Sequence, residues 1–178
     1  MMQANKSTSK NKVKDTTRQS SNTIKYKMMN KAIRGYFKID DQAYVGAPPV
    51  SNKRNYYMDI FEEMGTRESS HRMFNSIFKF LRKPSLGSEY PQAYFAVFDE
   101  TEIEDQEHFD ALVWTQLYPM HQKLMKLEPH EDLVYDPNDP DFILIIGGKT
   151  VNITGLHPRS NRKSRRFPWP VLVFTVNE

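Results

Sequence analysis

The sequence predicts an α+β domain: N-terminal helices followed by a mainly antiparallel sheet containing a Gly-Gly hairpin, with a disordered basic tail in front. Helix-period apolar runs occupy the earlier part of the chain, while short β-branched and aromatic runs recur at 93–98, 142–146, 150–154 and 171–176. Gly147-Gly148 stands between two of those runs as a tight turn.

Met1 to about Thr23 is Ser, Thr, Lys, Asn and Gln with almost no apolar residue. It cannot bury enough surface to offset the entropy of ordering, so residues 1–23 are expected to be disordered and 24–178 to form a single domain. Ile24 to Asp41 has the spacing of a short helix interrupted by Gly35, and Pro48-Pro49 makes Tyr44 to Pro49 a loop. Ser51 is placed to cap a helix running to about Met64, with Tyr57, Ile60, Phe61 and Met64 as its apolar face and Gly65 ending it. Ser69 or Ser70 opens the next helix, with His71 exposed in its first turn. Met73, Phe74, Ile77, Phe78 and Leu81 form its stripe, and Pro84 closes it.

Ala93 to Phe98 reads as a buried strand. Thr101 to Glu104 has capping-box spacing for a helix carrying Phe109, Leu112, Val113, Gln116, Met120 and Leu124 on one stripe and Trp114, Leu117 and His121 on an adjoining one. Pro119 is expected to kink that helix. Glu128 to Asp141 reads as an irregular loop, Phe142 to Ile146 as a buried strand, Thr150 to Thr154 as its partner and Val171 to Val176 as the last strand. Because that strand abuts Glu178, a chain truncated at its C-terminus is expected.

The chain of 178 residues has no cysteine, which excludes a disulfide framework, a thiolate zinc site, an iron–sulfur cluster, thiolate-ligated heme and a cysteine nucleophile. A metal would fall to Met, Tyr, carboxylates or the five histidines, His71, His108, His121, His130 and His157. No run approaches the roughly 18 apolar residues of a membrane helix, and no secretory signal is visible, so a cytoplasmic protein that does not meet the membrane is expected. The formal net charge of +3 conceals segregation: Lys and Arg crowd the tail and Arg159 to Arg166, while Asp99 to Asp110 is acidic.

The segment Gly147 to Pro170 is the densest in chemistry. Pro158 restricts His157 to extended backbone and aims its imidazole from a strand end, as an axial heme ligand or a general base requires; a hydrogen-bonding structural histidine is the plainer reading. Arg159, Arg162, Arg165 and Arg166, with Lys163, suit carboxylates or phosphates. Three readings stay open: heme propionates, nucleic-acid phosphates with Phe167 and Trp169 for stacking, or a solvated charged face.

Gly148, Gly155-Leu156-His157-Pro158, Ser160, Arg162, Arg165-Arg166-Phe167, Pro170 and Val173-Phe174 resemble the signature of the YqcI/YcgG family. Val45-Gly46-Ala47, the Trp114 to His121 helix and Asp136-Pro137 to Phe142 fall upstream in that family's order. The chain departs from it at Gln42-Ala43-Tyr44, where Phe-Pro-Cys is usual. The resemblance implies a heme-dependent monooxygenase with heme b, dioxygen as co-substrate, an external electron donor and a small guanidino substrate such as arginine, which is N-hydroxylated. On matching positions it implies His157, then His121, as iron ligand. It also implies Arg159, Arg162, Arg165 and Arg166 as propionate contacts, and Trp114 and Phe167 as pocket walls. The substrate cation would need a carboxylate, from Asp136, Asp139, Asp141 or Glu104. A small nucleic-acid-binding module and a cofactor-less relative are the alternatives.

Overall fold

The computed structural model describes residues 7–36, 56–82, 93–127, 144–146 and 148–177, with 7–21 as backbone alone. The chain divides into two units, Met1–Tyr36 and Phe37–Glu178. Helix α1 (Ser7–Tyr36) makes up the first. Helix therefore replaces the disorder expected up to about Thr23 from Ser7 onward; no proline lies in this stretch and its one glycine, Gly35, falls in the last turn, so nothing earlier breaks the helix.

In the second unit, strand β1 (Tyr56–Phe61) stands where a helix was expected. Tyr57, Ile60, Phe61 and Met64 fit a 3.6-residue period, but the aromatic and β-branched content and the burial of Met58 and Phe61 around exposed Asp59 belong to a strand. β1 pairs in parallel with β2 (Ala93–Phe98), from Tyr56 opposite Ala93 to Phe61 opposite Phe98. A parallel pair needs a crossover, and helix α2 (Arg67–Leu81) supplies it. Thr66 caps α2 by accepting from the Ser69 backbone N–H at 3.2 Å, so Ser69 and Ser70 lie buried inside the first turn instead of opening the helix.

Helix α3 (Gln106–Leu127) starts later than the capping box suggested. Its cap is Asp105, whose Oδ1 accepts from the His108 N–H at 2.7 Å, whereas Thr101 Oγ1 accepts from the Met64 N–H at 2.7 Å and fastens the β1–α2 turn. The helix continues through Pro119. Strands β3 (Leu144–Ile146), β4 (Lys149–Leu156) and β5 (Val171–Asn177) complete a five-stranded sheet in the order β1-β2-β5-β4-β3. Ile146 pairs with Lys149, and Gly148 takes the left-handed φ of 72° that favours glycine. All pairings except β1–β2 are antiparallel.

Helices and strands are interleaved, α1 β1 α2 β2 α3 β3 β4 β5, and do not precede the sheet as a block. Aromatics dominate the core: Phe61, Phe74, Phe80, Tyr94, Phe98, Phe109 and Phe174 belong to one buried cluster with Met73, Ile77, Met120 and Leu172. The loops expected at Tyr44 to Pro49 and Glu128 to Asp141, and the helix end at Pro84, lie outside the described residues. Among the described residues no helix is long and apolar enough to cross a membrane.

Candidate functional site

His157 directly follows β4 and is 1% exposed. Its ring stacks on Phe109 of α3, with centroids 4.1 Å apart and planes 17° from parallel. Gly155 makes room for that contact, since a Cβ there would meet Phe109 Cε1 at 2.5 Å. Gln106 Nε2 donates to Asp110 Oδ1 at 2.9 Å, which turns its Oε1 toward His157 Nε2, 3.1 Å away. An amide oxygen only accepts, so Nε2 carries the imidazole proton. Nδ1 is then a buried lone pair with no hydrogen-bond partner among the described residues. Burial lowers the His157 pKa, with Asp110 pulling weakly the other way, and the ring is neutral.

One face of the ring and its Nε2 are therefore occupied by α3. The sequence showed that Pro158 aims the ring but gave no sign of residues some fifty positions away that receive it. The following loop is closed by its own backbone. His157 N–H donates to Arg165 O at 3.1 Å, and Phe167 N–H to His157 O at 3.3 Å. Arg166 Nε donates to Ser160 O at 2.9 Å. Arg162 is extended, so Arg159, Arg162 and Arg165 do not align on one helical turn; the helical segment there is a short 3-10 turn, Lys163–Arg165. Arg159, Arg162 and Arg166 are exposed, whereas Phe167 is buried and Trp169 half-buried against it. Of the two aromatics a single-stranded nucleic acid would stack on, Phe167 is thus turned inward and Trp169 is partly exposed.

Trp114 and His121 lie elsewhere. Along with Leu117, Tyr118 and Met120 they line a cleft of about 930 Å3 between α3 and the N-terminal half of α2, which contributes Arg67, Ser70, His71 and Phe74. Both helices are held in place by Gln116, fully buried: its Oε1 accepts from the Gly65 N–H at 2.7 Å and from Ser69 Oγ at 2.9 Å, and its Nε2 lies 3.7 Å from Met73 Sδ. Gly65, at φ 83°, makes the turn that brings α2 beside α3. Lys123 lies on the same side, with Nζ 4.4 Å from the centre of the Phe74 ring. Burial lowers the His121 pKa, so its imidazole is neutral near pH 7.

The model of the YqcI/YcgG family matches residues 43–178. The chain belongs to the YqcI/YcgG family. No curated protein and no solved structure matches it. The YqcI/YcgG match spans both the His157 latch and the α2–α3 cleft, so the residues that carried the resemblance divide into two groups. Gly155, His157, Ser160 and Arg166 build the latch and its loop. Trp114 and His121 face the cleft, and none of Arg159, Arg162, Arg165, Arg166, Phe167 or His157 lines it. Glu104 is exposed, its backbone N–H donating to His108 Nδ1 at 3.3 Å; Asp136, Asp139, Asp141 and His130 lie outside the described residues. No group of three or more His, Cys, Asp or Glu able to hold a metal ion occurs among the described residues of this YqcI/YcgG chain.

Proposed function

We propose that this YqcI/YcgG chain is a heme-dependent monooxygenase that holds its cofactor in the α2–α3 cleft, with His121 as the iron's protein ligand. The observation that carries the reading is the cleft itself, a mostly apolar space of about 930 Å3 that gathers the imidazoles of His71 and His121, the aromatic rings of Phe74, Trp114 and Tyr118, and several cations. Its size falls in the roughly 300–1,000 Å3 range of cofactor and small-molecule sites. Porphyrin supplies most of the iron's ligands, so one neutral imidazole suffices where no multi-residue metal cluster is found among the described residues. Trp114, Phe74 and Met120 offer flat apolar contact, and Lys123, Lys126 and Arg67 offer partners for carboxylates.

Heme, when bound, supplies the iron that activates dioxygen. The chain's own part is to orient the group through His121, exclude water with the aromatic wall and hold α3 in place through Gln116 and the His157 latch. Hydroxylation of a guanidino nitrogen is supported by the family resemblance alone. Titration with ferric heme should give a Soret band that saturates at equimolar heme, is lost or shifted in His121→Ala and persists in His71→Ala. A wild-type protein that gives no Soret band overturns the proposal.

A further inference from the structure

Two stretches of opposite charge, far apart in sequence, are held together in the second unit. Arg159, Arg162 and Lys163 are exposed on the loop that follows β4, and Glu104, Asp105 and Glu107 are exposed at the start of α3. The neutral side chain of Gln106 joins the two stretches: its Oε1, besides facing His157, accepts from the Asn161 N–H at 3.4 Å. No ion pair connects these cations with these carboxylates among the described residues, so both sets of charge face outward. Trp169, at the end of the same loop and packed on Phe167 with ring centres 6.1 Å apart, is partly exposed. Arginine and tryptophan are among the residue types enriched where proteins meet.

We infer that this face is the interface of a two-fold dimer, with Arg159, Arg162 and Lys163 of each copy lying against Glu104, Asp105 and Glu107 of the other. Neighbouring patches of opposite sign are self-complementary: a two-fold axis between two copies sets each loop on the other copy's α3 start, and every contact occurs twice. A nucleic acid drawn to the loop would instead bring its phosphates against the carboxylates beside it, which repel them. A single exposed ion pair contributes little, so the attraction comes from the doubled set and from the two-pronged fit of arginine on carboxylate. None of these six residues lines the α2–α3 cleft, and the dimer forms with or without a cofactor there.

The test is analytical ultracentrifugation of the full chain. A monomer–dimer equilibrium should appear at about 0.1 M salt, and its dissociation constant should rise about tenfold or more at about 1 M, where the Debye length falls from about 10 Å to about 3 Å. Two charge-reversed chains then separate an electrostatic match from a general loss of association. Arg162→Glu with Lys163→Glu, and separately Glu104→Lys with Glu107→Lys, should each sediment as a monomer, because each presents like charge to its own copy. Mixed in equal amounts, the two should form a heterodimer, since the reversed loop of one meets the reversed helix start of the other and the unaltered halves also match. A wild-type chain that stays monomeric at low salt, a dimer that survives either reversal, or a mixture that stays monomeric overturns the inference. A wild-type monomer that associates with a short DNA duplex overturns it too, in favour of nucleic acid as the partner.

Discussion

At Gly155 a single hydrogen in place of a methyl decides whether α3 can close on β4. A Cβ at that position would lie 2.5 Å from Phe109 Cε1, so Gly155→Ala must drive the Phe109 ring off His157. Overpacking of this kind costs about 1–3 kcal/mol, and a urea unfolding midpoint unchanged in the variant would contradict the contact. His157 also makes stability pH-dependent. Its folded pKa is lowered from the ordinary value of 6.5 by burial. As pH falls below that value the unfolded chain binds a proton that the folded chain refuses until its own lower pKa is reached. The contribution is therefore complete above about pH 6.5 and declines below it. The urea midpoint should drop between about pH 7.5 and about pH 5.5, and by less in His157→Gln, which removes the titrating group. The sequence displayed the restriction that Pro158 places on His157, but not the ring and amide, both on α3, that fill the space it points at.

Elements are joined here by a few buried polar groups. Gln116 links α3 to the β1–α2 turn and to α2 through Gly65, Ser69 and Met73. Gln116→Leu keeps the volume but strands the Gly65 N–H, at a cost of about 1–3 kcal/mol, while the Ser69 hydroxyl keeps Thr66 O as an acceptor at 3.1 Å. Urea unfolding should show the loss, and the cleft should open, because both of its walls meet at this side chain; weaker heme binding in the Soret titration would report that change. The stripes of α2 and α3 were largely readable from sequence: Met73, Phe74, Ile77 and Leu81, then Phe109, Gln116, Met120 and Leu124, are buried on them, whereas Phe80 is buried off the α2 stripe, Leu117 is buried on the adjoining α3 stripe, and Phe78, Leu112 and Val113 are half-buried. β1 was not readable, because a six-residue aromatic run satisfies helical and strand periods alike until its partner is known. The parallel partner lies across α2, a separation that local pattern does not carry.

Across the second unit, α3 serves two sites. Gln106 and Phe109 bolt its first turns to the His157 loop, and His121 lies roughly 22 Å further along the axis, at about 1.5 Å per residue, in the wall of the cleft. The family signature was conspicuous in sequence because His, Pro and Arg stand together there, yet in the fold those residues fasten the helix while Trp114 and His121, spaced two turns apart on a long amphipathic segment, face the space a ligand can occupy. The cationic side of that space had no signal in sequence: Lys123 gains meaning only from the Phe74 ring on the neighbouring helix. Loosening the latch should therefore be felt at a distance, and Gly155→Ala should weaken heme binding in the cleft although it touches no lining residue. The central claim is tested most directly by locating the iron in crystals of the heme-loaded protein from its anomalous scattering. The account predicts one peak between α2 and α3 at bonding distance from a His121 nitrogen. A peak beside His157, or at the arginine loop, would contradict it.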